Sequence, residues 1–374
     1  MYLAWREIKR NRMKFSLIAV IFILIAWLVF ILSGLGNGLQ TLAAASFKNM
    51  KADYVVLEQG SNASVSKSLL SADGIDIVSK MPNVRGASPV GTTMGTVLKG
   101  DASDPAAGKV DVAMIGIEAG SFLEPAVIEG SGLSSDRADG AIVNKSMKDE
   151  GFKLGDTLRL DGSNETLTIV GFVENETYNH VASVFLPIDK WRTITFAAPG
   201  SDKGIRNPVN ALILQGSKID PDAVNAALQG TDTVTLAAAI MGMPGYKEES
   251  GSITMMLAFL LVISAFMLGV FFYVFTLQKS NQFGVLKAIG ARNGFLGKAV
   301  VSQVMVLSIF SILVGVALTY AVASFLSKAM PFILDTKLVI IYSIILLVIA
   351  LLSSLASVRS ITRIDPLKAL GRVE

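Results

Sequence analysis

The sequence predicts an integral membrane protein in which an all-α domain of four transmembrane helices carries a mixed α+β extracellular domain between its first and second helices. Three observations predict this class. The mean hydropathy is +0.55 and only 17% of the 374 residues are charged, whereas soluble domains carry more charge. The apolar residues are concentrated in four long runs, and basic residues cluster beside them. This distribution favours membrane spans over an unusually apolar soluble core.

The four runs cover residues 15–35, 253–277, 300–326 and 338–358, and none contains a charged residue. Each is long enough to cross the hydrocarbon core, which takes about 20 residues of helix. The predicted segments are an interfacial N-terminal helix (1–14), transmembrane helix 1 (15–39), the extracellular domain (40–249), transmembrane helix 2 (250–278), a cytoplasmic loop with a short helix (279–298), transmembrane helix 3 (299–327), a short extracellular loop (328–337), transmembrane helix 4 (338–358) and a cytoplasmic tail (359–374).

Basic residues set the predicted orientation. Lysine and arginine dominate the segment before the first run, the loop between the second and third runs, and the tail after the fourth. By the positive-inside rule these segments and both termini are cytoplasmic, and residues 40–249 lie outside. The first run exceeds the apolar core of a signal peptide, roughly 7–15 residues, so we expect it to remain as a span.

Several functional classes are excluded by residues that the sequence lacks. It contains no cysteine and one histidine, His180, which excludes disulfides, thiolate sites and multi-histidine metal sites within one chain. The nearest match to a phosphate-binding loop, Gly297-Lys298, is followed by alanine and lacks the first glycine. The chain is therefore predicted to be no enzyme and to hold no intrinsic cofactor. Acidic residues outnumber basic ones in segment 40–249, which argues against a nucleic-acid partner.

The segment between the first two runs has the pattern of one α+β domain. Asp220 is the predicted N-cap of a helix that begins at Pro221 and ends at Gly230, and another helix is expected after Asp189. Glycine- and serine-rich loops are expected over 60–66 and 100–108. Strands are predicted over 54–57, 110–117, 167–173, 182–187 and 209–214.

Three stretches carry a resemblance to a known family. They are FGVLKAIGA (283–291), IDPLKAL (364–370), and LGDTL (154–158) with LTIVGFV (167–173). Their order and the arrangement of one span, a large outer domain and three spans resemble the permease subunits of MacB-type, FtsX-like ABC transporters. Lipoprotein-releasing and cell-division permeases belong to this family, and the resemblance covers essentially the whole chain. The start LAWREIK (3–9) and the length are similar to the haem-export group of HrtB and DevC permeases.

The resemblance implies a separate ABC ATPase that binds ATP and magnesium, in an assembly of two permease and two ATPase subunits in the bacterial cytoplasmic membrane. It also implies that segment 279–298 is a coupling helix that docks on the ATPase, although Asn281-Gln282 departs from the Arg-Glu pair that relatives often carry. An ordinary basic loop is the alternative, but its apolar residues need a partner to bury them. The predicted coupling residues are Phe283, Gly284, Leu286, Lys287, Ile289 and Gly290.

Two acidic residues at the outer end of the second run mark the candidate substrate site. A carboxylate entering the membrane is costly enough to suggest function, although acids also favour the first turn of a helix. Methionine fills irregular apolar gaps, and haem iron accepts oxygen, nitrogen or thioether ligands. Together with the resemblance, these residues predict haem as the substrate, with Glu249 as the axial ligand of its iron. The predicted binding residues are Glu249, Glu248, Tyr246, Met243, Met256, Phe30 and Asn37.

Other functions stay open from the sequence. The chain could export another amphiphile, such as a peptide antibiotic, a lipid or a lipoprotein, or it could activate an extracellular partner without transport. His180 is a further candidate haem ligand, although a lone histidine is commonly a hydrogen-bonded surface residue. Small residues at helical spacing predict close packing in lipid, at Gly34 and Gly38 and at Gly315, Thr319 and Ala323.

Overall fold

A computed structural model describes residues 12–100, 108–326 and 331–362. Most of the predicted N-terminal helix lies outside the described residues, as does the predicted tail from residue 363 onward. The chain divides into two compact units. We call Leu39–Ser250 the inserted domain, and we call Met1–Gly38 together with Gly251–Glu374 the membrane unit.

The described part of the chain contains nine α-helices and thirteen strands. In chain order the helices are α1 (Arg12–Lys48), α2 (Ile75–Val78), α3 (Ile188–Thr195), α4 (Pro221–Ala227), α5 (Leu236–Met241), α6 (Tyr246–Gln278), α7 (Ser280–Ala288), α8 (Asn293–Phe325) and α9 (Thr336–Thr362). The strands are β1 (Tyr54–Glu58), β2 (Leu70–Ser71), β3 (Gly86–Lys99), β4 (Val110–Ile117), β5 (Val127–Gly130), β6 (Gly140–Asn144), β7 (Thr157–Leu160), β8 (Thr166–Val173), β9 (Thr177–Tyr178), β10 (Val181–Pro187), β11 (Pro208–Val209), β12 (Ala211–Gln215) and β13 (Thr231–Thr235).

The four apolar runs are helical, as the sequence predicts. Within the described residues α1, α6, α8 and α9 are long and apolar enough to cross a membrane. Three of them extend well beyond their apolar run, since α1 continues to Lys48, α6 already begins at Tyr246 and α8 already begins at Asn293. Elongating an existing helix costs far less than nucleating one, so polar residues at its ends can join it.

Small and hydroxylated residues bring the membrane helices together. A β-carbon on Gly315 of α8 would lie 3.0 Å from the β-carbon of Ala26 on α1. Ser311 Oγ donates to the carbonyl of Ala19 at 3.4 Å, which adds a second tie between α8 and α1. Lipid tails are as apolar as side chains, so close packing and such hydrogen bonds hold membrane helices together. The close packing predicted at Gly315 is confirmed.

The predicted small-residue pair near the end of the first span also packs closely, but against an unexpected partner. A β-carbon on Gly38 would overlap the carbonyl of Pro331. The amide of Ile333 donates to the Gly34 carbonyl at 3.0 Å, and Asn37 Nδ2 donates to the Ile333 carbonyl at 3.1 Å. The partner is therefore the connection that leads into α9, and not another helix.

One mixed sheet forms the frame of the inserted domain. Its strand order is β13-β1-β12-β3-β4-β10-β6-β8-β5, with β4 parallel to β10 and β6 parallel to β8. The predicted strands become β1, β4, β8 and β10, while 209–214 divides into β11 and β12. The Asp220 carboxylate caps α4 as predicted, by accepting from the amide of Asp222. That helix ends at Ala227, before Gly230, and the helix expected after Asp189 begins one residue earlier, at Ile188.

The long strand β3, between β12 and β4, was not predicted from the sequence. This strand contains one proline and three glycines, residues that normally weaken a strand prediction. Packing explains why one of these positions is glycine. Trp191 of α3 is fully buried, and its indole covers Gly91 of β3 and Gly116 of β4 so closely that a β-carbon at either would overlap it. Trp191 Nε1 also donates to Thr93 Oγ1 at 3.1 Å.

Candidate functional site

The last part of α1, inside the inserted domain, is interrupted at Ala44, where φ is −143° and ψ is 16°. In a regular helix a carbonyl accepts from the amide four residues further on. Here the Leu42 carbonyl accepts from the amide of His180 at 3.2 Å, and the Ala43 carbonyl accepts from the amide of Asn179 at 2.8 Å. The interruption of α1 therefore coincides with an anchor for residues 179 and 180.

These two residues form the turn of a hairpin between β9 and β10. Tyr178 pairs with Val181, and φ is +49° at Asn179 and +67° at His180. Positive φ at both central positions is the type I′ geometry, which matches the twist of the two strands. Asparagine and histidine adopt positive φ more readily than most other residues. The local sequence thus places an imidazole at the tip of a well-defined turn.

The imidazole of His180 meets the predicted substrate carboxylate. Its Nε2 lies 3.2 Å from Glu249 Oε2, and the two side chains are 42% and 23% exposed. Glu249 lies in the first turn of α6, where its amide donates to the Gly245 carbonyl at 3.0 Å. The sequence analysis proposed both residues as haem ligands but did not pair them. His180 reaches Glu249 because it lies in the hairpin turn, and the spacing of the two residues in the sequence does not predict this contact.

Tyr246 and Met243, two further predicted substrate residues, pack into the core of the inserted domain. They are 7% and 5% exposed and share an apolar cluster with Phe47 and Tyr178. The Lys48 ammonium lies 5.5 Å from the centre of the Tyr246 ring, within the range of a cation–π contact. Packing is the role that this arrangement gives them, and their contact with a substrate stays a prediction.

The remaining predicted substrate residues differ in exposure. Glu248 is exposed, beside Glu249 on α6. In the membrane unit Phe30 is fully buried among the helices, Asn37 is bonded to Ile333, and Met256 is 47% exposed. Met256 therefore offers free surface, whereas Phe30 does not in this conformation. Their participation in binding stays a prediction.

A second carboxylate, Glu176, lies close to the chain that follows α1. It is 6% exposed, accepts a hydrogen bond from Asn49 Nδ2 at 3.0 Å, and lines a cavity of about 370 Å³ together with Ser46 and Phe185. Burial raises the pKa of the Glu176 carboxyl above its ordinary value, and hydrogen bonds from Asn49 and Ser46 offset part of that rise. The inserted domain thus holds a carboxylate in a poorly solvated place.

The predicted coupling residues divide into two groups on and after α7. Phe283 is 5% exposed within the core of the membrane unit, and Gly284 is buried. Leu286 and Ile289 are 37% and 77% exposed, and Lys287 is half-buried. Phe283 therefore attaches α7 to its own unit, while Leu286 and Ile289 present an apolar surface.

Gly290 ends α7. Its φ is +99°, its amide donates to the Lys287 carbonyl, and the amide of Ala291 donates to the Leu286 carbonyl, both at 2.9 Å. These two bonds around a left-handed residue form a Schellman motif, which favours glycine because it has no β-carbon. The motif terminates the helix directly after Ile289.

Lys279, at the junction of α6 and α7, is a site residue that the sequence analysis missed. Its side chain is 4% exposed, Nζ donates to Gln303 Oε1 at 3.1 Å, and the ammonium lies 4.5 Å from the centre of the Phe275 ring. A buried charge is costly unless it is paired, so these contacts tie the junction to α8. In the sequence, Lys279 has the pattern of an ordinary basic residue that flanks a membrane span.

Comparison with known proteins assigns the family. The MacB-like periplasmic core domain matches residues 16–231, and the FtsX-like permease C-terminal domain matches residues 254–366. The chain belongs to the MacB-like, FtsX-like permeases of ABC transporters. Permeases of this family are not themselves enzymes, and membership implies an ATPase subunit as partner. The predicted family is confirmed, and the chain is a multi-pass membrane protein.

Relatives of this permease match along its whole length. HrtB of Staphylococcus epidermidis, a permease named for hemin transport, is 26% identical over 371 residues, which cover 99% of each chain. HrtB of Staphylococcus haemolyticus is 26% identical over 377 residues and all of both chains. An ABC transporter permease of Mycobacterium tuberculosis is 24% identical over 376 residues, or 99% of each chain. The periplasmic region of MacB from Actinobacillus actinomycetemcomitans aligns with 50% of this chain and 90% of its own, at 11% identity and a TM-score of 0.37.

Proposed function

We propose that this permease takes haem from the outer leaflet of the bacterial cytoplasmic membrane and expels it, driven by ATP hydrolysis in a separate subunit. The observation that carries the proposal is the contact of His180 with Glu249, 3.2 Å between Nε2 and Oε2. Relatives of the same length that are named for hemin transport support it.

Both side chains of this pair suit haem iron. The iron binds histidine nitrogen, and its ligation by tyrosinate shows that it also accepts an anionic oxygen. One or two protein ligands suffice for haem, since the porphyrin supplies four nitrogens. The described residues contain no group of three or more histidine and acidic side chains that could hold a free metal ion. The pair of His180 and Glu249 therefore suits haem, whose porphyrin supplies most of the iron ligands, better than it suits a free metal ion.

We assign different roles to the two residues. Glu249 is the axial ligand, through a carboxylate that is 23% exposed at the start of α6. His180 Nε2, 3.2 Å from Oε2, positions the carboxylate so that its other oxygen faces the iron, as partners of metal ligands commonly do. Met256, which is 47% exposed, is a further proposed haem contact. A thioether there gives the flat porphyrin an adaptable apolar contact.

The assembly we propose contains two copies of the permease and two ATPase subunits. Both termini face the cytoplasm and the inserted domain faces outward, as the basic flanks predict. The exposed Leu286 and Ile289 of α7 dock on the ATPase, which buries their apolar surface. Spans α1 and α6 lie at the dimer centre, and closure of the ATPases moves α6 against its twin to expel the cargo.

Haemin binding tests the proposal. The permease and its ATPase, in lipid nanodiscs, are titrated with haemin while the Soret band is followed. Glu249→Gln should weaken binding at least about tenfold and change the spectrum, because the axial oxygen is lost. His180→Asn keeps a residue that tolerates positive φ but removes the imidazole, and should cost about tenfold, the lower end of the range for a lost partner of a metal ligand. Glu248→Gln is the matched control, with a smaller effect expected.

Three results would overturn or redirect the proposal. Equal losses in the Glu248 and Glu249 variants would place the ligand elsewhere. An unchanged Soret band in the parent protein, with ATPase stimulation by a lipid or peptide amphiphile, would make the chain an exporter of that amphiphile. Binding of a secreted protein without haem binding would indicate signal transmission.

A further inference from the structure

A groove of about 560 Å³ lies between the first turns of α8 and the last turns of α9, within the membrane unit. Its apolar walls come from Val301 on α8 and from Leu355 and Val358 on α9. Lys298 and Asn293 of α8 supply polar groups at one end. The groove is separate from the pair of His180 and Glu249, which belongs to the inserted domain.

Two glycines of α8 create this groove. Gly297 lets α9 approach, since a β-carbon there would lie 3.0 Å from Val358 Cγ1. Gly294, one turn earlier on the same helix, has no neighbour within 4 Å of the place where a β-carbon would be. The helices therefore meet at Gly297 and leave an open, apolar trough beside Gly294. Because α8 and α9 are both apolar enough to span the membrane, we place the trough at the cytoplasmic lipid–water interface.

The polar end of the groove is positively charged. Lys298, the basic residue that lines the groove, is exposed, and in the described residues no carboxylate pairs with it. The sequence has no acidic residue between Glu249 and Asp335. The amide of Gly294, in the first turn of α8, also points along the positive end of the helix dipole. An anion at this end would therefore meet a lysine that pairs with no carboxylate in the described part of the chain.

We propose that this groove binds an anionic phospholipid. One acyl chain lies along Val301, Leu355 and Val358, and the phosphate lies against Lys298 at the first turn of α8. The combination of residues decides the occupant, because an apolar groove lined by an exposed lysine matches a lipid with a charged headgroup. Basic pockets between membrane helices recognise such headgroups in the same way. The proposal depends on the membrane location of α8 and α9, and is independent of the cargo.

Native mass spectrometry of the full permease with its ATPase, released from detergent, tests the proposal. The probes are dioleoyl phosphatidylglycerol and dioleoyl phosphatidylcholine, which share acyl chains and differ in charge. The parent protein should retain phosphatidylglycerol preferentially. Lys298→Gln should lower that retention about fivefold, the equivalent of ~1 kcal/mol for one basic contact. Gly294→Leu should exclude both lipids, because its side chain fills open space in the groove.

Lys337→Gln is the matched control, since it removes a lysine at the other end of α9. Equal retention of the two lipids by the parent protein, or equal losses in the Lys298 and Lys337 variants, would overturn the proposal. Unchanged lipid retention in Gly294→Leu would also overturn it. The chain has no cysteine, so a single Gly294→Cys substitution reports on a protein occupant. An efficient disulfide between two copies at that position would show that a second permease fills the groove instead.

Discussion

One glycine in each unit of this permease, Gly91 and Gly38, allows a close approach by a different kind of group. In the inserted domain Gly91 lies under the indole of the fully buried Trp191. In the membrane unit Gly38 receives the backbone of Pro331. Burial of a large ring is strongly favourable in water, whereas in lipid the closeness of backbones is what stabilises packing. These two glycines therefore make room for different groups, an indole at Gly91 and a backbone carbonyl at Gly38.

The largest expected effect is on the stability of the inserted domain. Gly91→Ala should lower the free energy of unfolding by about 3 kcal/mol, because the new methyl group overlaps an indole that close-packed neighbours hold in place. Gly95→Ala on the same strand is the control, since its β-carbon would meet only the terminal methyl of Met114. Thermal unfolding of the full chain in detergent compares the two. Equal losses would show that strand β3 tolerates glycine replacement in general and that Trp191 is not the cause.

A smaller loss is expected in the membrane unit. Gly38→Ala should cost about 2 kcal/mol, because the overlap with Pro331 is offset in part by a gain of ~1 kcal/mol in helix propensity. Gly251→Ala on α6 has open space and should give the propensity gain alone. The two variants thus shift the unfolding temperature in opposite directions. Stabilisation by both would mean that residues 331–333 do not pack on α1.

The smallest effect concerns buried charge. The membrane unit buries the ammonium of Lys279, whereas the inserted domain buries the carboxyl of Glu176. Because burial raises the pKa of Glu176, the folded inserted domain holds this proton more tightly than the unfolded chain. Stability is therefore lost as pH rises from the ordinary glutamate pKa through the raised one. Glu176→Gln keeps an acceptor for Asn49 and should flatten this part of the profile, with a slightly higher melting temperature at neutral pH. A profile that keeps its slope in the variant would assign the pH dependence to another group.

The sequence predicted the membrane helices well because lipid leaves an apolar run of that length few alternatives to a helix. It predicted the inserted domain less completely. The glycines of β3 are set by packing, and Trp191, which lies far along the chain, is what covers Gly91. From the local sequence alone, the glycines of β3 count against a strand.

The candidate site shows the same limit. Residue chemistry and the family resemblance together pointed to Glu249 and to His180 as possible iron ligands, but their pairing depends on a hairpin turn anchored to α1. Composition also suggested that the apolar residues of α7 act together. The fold separates Phe283, which faces its own unit, from the exposed Ile289. Sequence reasoning identifies reactive groups, whereas folding decides which of them meet.

The anchor of the hairpin turn has a mechanical consequence. The bonds from the amides of residues 179 and 180 to the carbonyls of Leu42 and Ala43 join backbone to backbone, so no change of side chain at those positions deletes them directly. The imidazole therefore travels with the end of α1, while its carboxylate partner travels with α6. A relative shift of about 1 Å is enough to stretch this 3.2 Å contact beyond ~4 Å, the usual limit for an ion pair. Within the inserted domain, one pair of side chains thus registers the spacing between the end of α1 and the start of α6.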